Sequence, residues 1–233
     1  MIDKPVMIIT GTRKGIGKYL AEYYVNKEFY VIGCSRGDID FKLDNYQHYC
    51  LDISDELSVK KMFKQIRKEF GRLDVLINNA GVASMNHSLL TPISTVRKIL
   101  DTNVIGTFIF SRESAKIMKN NKYGRIINFT TYAVLFKLEG EAIYAASKAG
   151  VITLTEILSR EYADFGITIN AVAPPAVQTD LIRGVPNEKM ESLLQRQAIH
   201  RYGNPKEVCN VIDFFIKPES DFITGQNIYL GGI

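Results

Sequence analysis

The sequence predicts an α/β fold: a single-domain Rossmann-type, doubly wound parallel sheet of about seven strands flanked by helices, spanning residues 1–233. Three observations predict it. Short apolar runs alternate with helical patterns along the whole chain, with no linker, repeat or low-complexity break. A glycine-rich turn joins the first apolar run to the first helical stretch. The fourth run passes directly into Asn78-Asn79-Ala80-Gly81, small residues and amides of the kind that line a crevice at the carboxyl end of a parallel strand.

Val6 to Thr10 is apolar and mostly β-branched, which suits a strand buried on both faces. Gly11-Thr12-Arg13-Lys14-Gly15-Ile16-Gly17 follows, and Lys18 to Asn26 reads as helix. Strand, glycine turn and helix start form a phosphate-binding arrangement, here spaced G-x-x-x-G-x-G. Gly11 permits the tight turn, Gly15 lets a pyrophosphate approach bare backbone, and Gly17 lets helix and strand pack closely.

Phe29 to Cys34 is the second strand, and Ser35-Arg36 stands at its end. NAD sites place a carboxylate there for the ribose 2′-hydroxyl, whereas NADP sites supply positive charge for the 2′-phosphate. Arg36, with Arg13 and Lys14 in the glycine loop, therefore predicts NADP(H). Asp38 and Asp40 follow closely and bear on that reading if the loop folds back.

Gln47 to Leu51 is the third strand and ends at Asp52-Ile53-Ser54. Asp52 either accepts from an adenine amino group or caps the helix starting near Asp55. Glu56 to Phe70 is helical and closed by Gly71; Leu73 to Ile77 is the fourth strand. Thr91 to Asn121 reads as one long helix with Pro92 near its start and Asn103 amid apolar neighbours, a polar tie or part of a polar site. Gly124 to Thr130 is the fifth strand, ending at Thr131. Ile143 to Phe165 is a helix closed by Gly166, Ile167 to Ala173 the sixth strand, and Pro174-Pro175 its end. Ala176 to about Met190 reads as a mobile loop over a site. Asn204-Pro205 opens a helix through Ile216, and Gln226 to Leu230 is the last strand.

The helix after Thr131 carries Tyr144 and Lys148, four residues apart and so on one face, one turn apart. A phenol titrates near 10 and needs a lower value to work as an acid–base group at neutral pH. An adjacent ammonium favours the phenolate and lowers it. By itself the pair is a common helical spacing; Thr131, lying 13 residues earlier, and the glycine loop make it a candidate proton-transfer device.

Composition bounds the function. A hydrophobic fraction of 46% and a charged fraction of 23% are those of a globular protein, and the net charge of +4 is mild. No Lys/Arg tract of the nucleic-acid-binding kind is present. Cys34, Cys50 and Cys209 are odd in number and widely spaced, which predicts reduced thiols and a cytoplasmic protein. The N-terminus lacks a signal-peptide pattern, no apolar stretch reaches the length of a membrane span, and His48, His87 and His200 show no metal-ligand spacing, so no metal is expected. Lys116, Lys119, Lys122 and Arg125 form either a solvated face or a surface for an acidic carrier protein. Met85, Val134, Leu135, Phe136, Leu138 and Leu181 are candidate walls of an apolar or mixed pocket.

These residues form a set that resembles the short-chain dehydrogenase/reductase family, in its single-domain branch. The matching pieces are Thr10-Gly11-x-x-x-Gly15-Ile16-Gly17, Asn78-Asn79-Ala80-Gly81, Asn103, Thr131, Tyr144-x-x-x-Lys148, Asn170-Ala171-Val172-Ala173-Pro174 and Ile223-Thr224-Gly225-Gln226. The likeness runs from about residue 5 to the C-terminus and is nearest to 3-oxoacyl-carrier-protein reductases. It implies NADP(H)-dependent reduction of a ketone, with a 3-oxoacyl thioester as the first candidate substrate. A sugar or specialised-metabolite ketone, or a non-catalytic NADP(H) sensor or scaffold, stays open.

The resemblance implies Tyr144 as general acid, Lys148 lowering its pKa and holding the nicotinamide ribose, Asn103 orienting a relay water, and Thr131 bonding the substrate oxygen. It places Ser35, Arg36, Asp52, Ile53, Asn79, Ala80 and Gly81 along the cofactor with the glycine loop, and Pro174, Val177 and Thr179 at the nicotinamide. It also implies a homotetramer or homodimer. Two departures stand out: Thr131 where the family usually has Ser, and Pro175 where it usually has Gly.

Overall fold

A computed structural model describes residues 4–177 and 187–232. Seven strands among them form one sheet: β1 (Val6–Thr10), β2 (Tyr30–Ser35), β3 (Tyr46–Cys50), β4 (Val75–Asn78), β5 (Gly124–Phe129), β6 (Ile167–Ala173) and β7 (Asn227–Tyr229). Their order is β3-β2-β1-β4-β5-β6-β7 and every pairing is parallel. The helices are α1 (Gly15–Asn26), α2 (Glu56–Phe70), α3 (Ile93–Leu100), α4 (Thr107–Met118), α5 (Ala133–Phe136), α6 (Ala142–Tyr162), α7 (Asn187–Gln195) and α8 (Pro205–Ile216). The fold class expected from the sequence is the one found.

Helices on both faces explain why the central strands read as unbroken apolar runs. Val6 and Ile8 of β1 pack with Phe63 of α2, Phe110 of α4 and Leu158 of α6. Met7 and Ile9 point the other way, to Leu20 and Tyr24 of α1 and to Ile212 and Phe215 of α8. Each strand thus feeds two cores by its period of two.

Local chemistry sets the helix ends. The Asp55 carboxylate accepts from the backbone of Leu57 and Ser58 and caps α2, and Gly71 closes that helix at φ 67°. The cap is therefore Asp55, and the capping alternative for Asp52 is overturned. Asn204 and Glu207 form a reciprocal capping box on α8.

The expected helix over 91–121 is divided. Pro92 caps α3, a π-helical turn spans Asp101–Gly106, and α4 follows. The widened turn carries Asn103, whose carbonyl accepts the Thr107 hydroxyl at 2.8 Å. Such side-chain competition for a helix carbonyl distorts the regular ladder. The expected loop over 176–190 is corrected at its end, where α7 begins at Asn187; residues 178–186 lie outside the described residues.

Candidate active site

The strand order reverses between β1 and β4, because β2 lies on one side of β1 and β4 on the other. Chain segments leaving the two strands diverge there and open a crevice at their carboxyl ends. A cleft of about 700 Å³ occupies it. Gly11, Arg13, Lys14, Gly15, Ile16 and Gly17 line it from the glycine loop, Ser35 and Arg36 from β2, Asp52 and Ile53 from after β3, and Asn79, Ala80 and Gly81 from after β4.

Backbone geometry explains the glycines. Gly11 has φ 77°, and a Cβ on Gly17 would stand 2.2 Å from the Gly11 carbonyl oxygen. The Asn79 amide donates to the Thr10 carbonyl at 2.8 Å, and the Ala80 N–H donates to the Thr10 hydroxyl at 2.9 Å. Asn79 and Ala80 thus tie the end of β4 to the glycine loop. The α1 N-terminus, beginning at Gly15, has no side-chain cap. Its first-turn N–H groups and the helix dipole suit an anion in the cleft, so the donor set fits a dinucleotide pyrophosphate.

The far end of the cleft is basic. Arg36 is exposed there, and the Arg13 guanidinium lies over Gly37, where a Cβ would come within 2.9 Å of its Nη1. The Ser35 hydroxyl donates to the Gly37 carbonyl at 2.6 Å and meets His48 Nε2 at 3.0 Å. The Tyr46 hydroxyl lies 2.8 Å from His48 Nδ1 and 2.8 Å from the Thr12 hydroxyl, so a polar chain buttresses this loop from beneath. His48, which shows no metal-ligand spacing in the sequence, is its central member, and burial holds its imidazole below the ordinary 6.5. Asp40 turns away to Lys18 at 3.4 Å, Asp38 accepts from Ile39 N–H at 2.8 Å, and neither lines the cleft. Asp52 does line it, with Oδ1 accepting from the Ser54 N–H at 2.9 Å and from its hydroxyl.

The cleft continues past Ile16, Asn79 and Gly81 into a second pocket of about 410 Å³ lined by Thr131, Tyr144, Lys148, Pro174 and Val177. Thr131 leaves the end of β5, while Tyr144 and Lys148 rise from the first turns of α6. The Thr131 oxygen accepts from Ala133 N–H at 3.2 Å, leaving its own proton to donate. Thr130, just past the end of β5, donates from its hydroxyl to Asn227 Oδ1 at 2.7 Å.

The electrostatics differ from the expectation. Burial pushes the Tyr144 phenol up to about 12; its hydrogen bond with Thr131 works against the rise and the Glu141 carboxylate adds to it. Lys148 is 4% exposed, its Nζ donates to the Phe129 carbonyl at 2.7 Å, and burial brings it down to about 8. Thr131 is the group whose hydrogen bond favours the phenolate, and the Lys148 ammonium is directed at the Phe129 carbonyl.

Asn103 is 0% exposed and lines neither pocket. Its amide donates to the Val82 carbonyl and the Ser147 hydroxyl, both at 2.9 Å, and accepts from Val82 N–H at 2.9 Å. Both donors are used, so the side chain offers none to a relay water. These bonds pin the loop after β4 to α6.

Of the expected walls, Met85 and Leu138 line the pocket. Val134, Leu135 and Phe136 belong to α5 and do not, Phe136 stacking instead on Tyr132 at 5.4 Å. Leu181 and Thr179 lie outside the described residues. Met190, Leu193, Gln197, Glu141 and Tyr132 are also in the lining and were missed. Met190 and Leu193 stand three apart on α7, a helical spacing at the edge of the segment read as loop. Pro175 is buried beside the pocket, and a Cβ on Gly203 would stand 2.1 Å from its ring.

The basic run is not one face. Arg125 is 3% exposed on β5 and stacks on Tyr123, while Lys116 pairs with Glu113 at 2.8 Å. The run flanks the N-terminal end of β5, at the end of the sheet away from the crevice.

A dinucleotide cleft running into a pocket with a hydroxyl, a phenol and a buried lysine defines a nicotinamide-dependent oxidoreductase. Residues 11–232 match a family model described as enoyl-(acyl carrier protein) reductase, and the chain belongs to the short-chain dehydrogenase/reductase family. It is 32% identical over 237 residues to a 3-oxoacyl-[acyl-carrier-protein] reductase of Vibrio cholerae, covering 99% of this chain and 97% of that protein. Similar solved structures include a 4-hydroxyisoleucine dehydrogenase mutant complexed with NADH and succinate, at TM-score 0.91 and 28% identity, covering 97% of each chain. Another is ElxO with NADP bound, at TM-score 0.88 and 30% identity, covering 97% of each chain.

No helix among the described residues is long and apolar enough to cross a membrane.

Proposed function

We propose that this protein, acting as one cofactor-binding and catalytic domain, uses NADPH to reduce a ketone to a secondary alcohol, with a 3-oxoacyl thioester as substrate. The observation that carries the reading is the hydrogen-bonded Thr131–Tyr144 pair in a pocket continuous with the dinucleotide cleft. The dinucleotide, when bound, supplies the hydride to the carbonyl carbon. Thr131 donates to the carbonyl oxygen, where negative charge develops. Tyr144, held protonated by burial up to about 12, delivers the proton that completes the alcohol. Lys148 has one donor on Phe129 and two left for the ribose hydroxyls. Arg36 and Arg13 meet the 2′-phosphate, and Asp52 meets the adenine edge.

The name of the Vibrio cholerae relative supports a carrier-linked 3-oxoacyl substrate. A second reading, a small polar metabolite ketone, is favoured by Glu141 and Gln197 in the pocket wall. Exposed Leu100, Ile105 and Phe108 near the π-helical turn support burial of that face in a homodimer or homotetramer, which mass measurement in solution tests. Three unpaired cysteines, Cys34, Cys50 and Cys209, fit a cytoplasmic location.

The test is an NADPH-consumption screen over 3-oxoacyl thioesters, enoyl thioesters, sugar ketones and simple ketones. Tyr144→Phe is expected to cut turnover by at least about 10²-fold while NADPH still binds. Undiminished turnover in that variant refutes the assignment. Binding of NADPH with no oxidation across the panel identifies a sensor or scaffold instead.

A further inference from the structure

The catalytic pocket and a hollow of about 610 Å³ behind it share two residues, Pro175 and Gln197. Gln197 follows the end of α7 and is 2% exposed, yet neither its Nε2 nor its Oε1 has a hydrogen-bond partner among the described residues. Its backbone N–H is satisfied by the Leu194 carbonyl at 3.2 Å, so the unmet capacity belongs to the side chain alone. Buried polar side chains are normally paired, and leaving one unpaired is costly. A hydrocarbon of the same shape would avoid that cost. Tyr132, next to Thr131 in sequence, brings a second buried hydroxyl, which meets the Gly232 backbone. A Cβ on Gly231 would lie 2.9 Å from Gln197 Oε1 and 3.5 Å from that hydroxyl, so the two groups flank one point. Both residues line the pocket that holds Tyr144 and Thr131.

The geometry points to Gln197 as a specificity-determining residue, whose amide holds a neutral substrate group that both donates and accepts hydrogen bonds: a secondary amide or a hydroxyl away from the reacting carbonyl. This rests on the carbonyl-reductase reading and narrows its substrate class. A primary amide offers two donors and an acceptor. An amide or hydroxyl meets both functions. A carboxylate meets only Nε2 and shares the pocket with the Glu141 carboxylate. A plain alkyl chain meets neither, and the surrounding wall of Met85, Leu138, Met190 and Leu193 already serves such a chain. The amide-bearing arm of a thioester and the hydroxyl of a small hydroxyketone are the two sources of this chemistry.

Two matched substrate pairs separate the sources. One compares a 3-oxobutanoyl thioester of N-acetylcysteamine with the S-alkyl thioester of equal length; the other compares a hydroxyketone with its deoxy counterpart. The wild-type protein is expected to favour the polar member of one pair by about tenfold or more in kcat/KM. Gln197→Met, which keeps the length, is expected to bring that ratio close to one by lowering kcat/KM for the polar member, with Tm kept or raised. Gln197→Glu keeps the shape and loses the donors, and is expected to lower the ratio as well. Equal loss on both members of each pair, an unchanged ratio in Gln197→Met, or no wild-type preference in either pair overturns the proposal. Absence of NADPH oxidation with all four compounds, together with a silent wider ketone panel, overturns the carbonyl-reductase reading itself, which the ratios leave untouched.

Discussion

Replacing Lys148 by Met removes a buried charge and nearly preserves the side-chain length. Lys148 is 4% exposed, and burial takes it from 10.5 to about 8. That depression corresponds to about 3 kcal/mol of cost to the folded state at neutral pH, where the ammonium is charged in both states. Loss of the 2.7 Å hydrogen bond to the Phe129 carbonyl offsets about 1 kcal/mol of the gain. Lys148→Met is therefore expected to stabilise the fold by about 2 kcal/mol, or about 4–8 °C in Tm for a chain of this size. At high pH the gap closes. Between pH 8 and 10.5 the folded lysine gives up its proton while the unfolded one keeps it, so the wild-type protein gains stability relative to the variant. Tyr144 titrates in both proteins and cancels from the comparison. The assay is thermal melting of both proteins without added dinucleotide at pH 7 and pH 10, beside NADPH turnover, which the variant is expected to lose. A lower Tm for Lys148→Met at pH 7, or a gap that stays constant to pH 10, refutes the reasoning. A residue whose removal raises stability and removes activity is held for function.

Two other substitutions probe the ends of the site. Arg36→Leu is expected to raise the Kd for NADPH by about 10- to 100-fold, from the loss of a charge-assisted phosphate contact, and to leave NADH nearly unaffected; equal losses for both dinucleotides refute the 2′-phosphate role. Gly203→Ala places a Cβ 2.1 Å from the Pro175 ring and is expected to cost about 1–3 kcal/mol by chemical denaturation. In a Pro175→Gly background the same change is expected to cost at least about 1 kcal/mol less, and strict additivity of the two changes would show that the ring contact carries no energy.

By itself the sequence determined the layered fold and the residues that can touch a dinucleotide. Strand periodicity, glycine spacing and the Asn-Asn-Ala-Gly turn are local properties, and local sterics act within a few residues. Helix α2 from Glu56 to Phe70, strand β6 from Ile167 to Ala173 and helix α8 from Pro205 to Ile216 follow directly from such signals. The tertiary structure decided where charges and polar side chains point. Spacing put Tyr144 and Lys148 on one helix face, but only the packing of α6 on β5 turned the Lys148 ammonium to the Phe129 carbonyl and left the Tyr144 phenol near 12. In sequence Asn103 was open between a polar tie and part of a polar site; in space the π-helical turn delivers its side chain to Val82 and Ser147. Gln197 carried no signal at all: an orphaned amide is visible only once its surroundings are known, since hydrogen bonding and desolvation depend on neighbours far away in the chain.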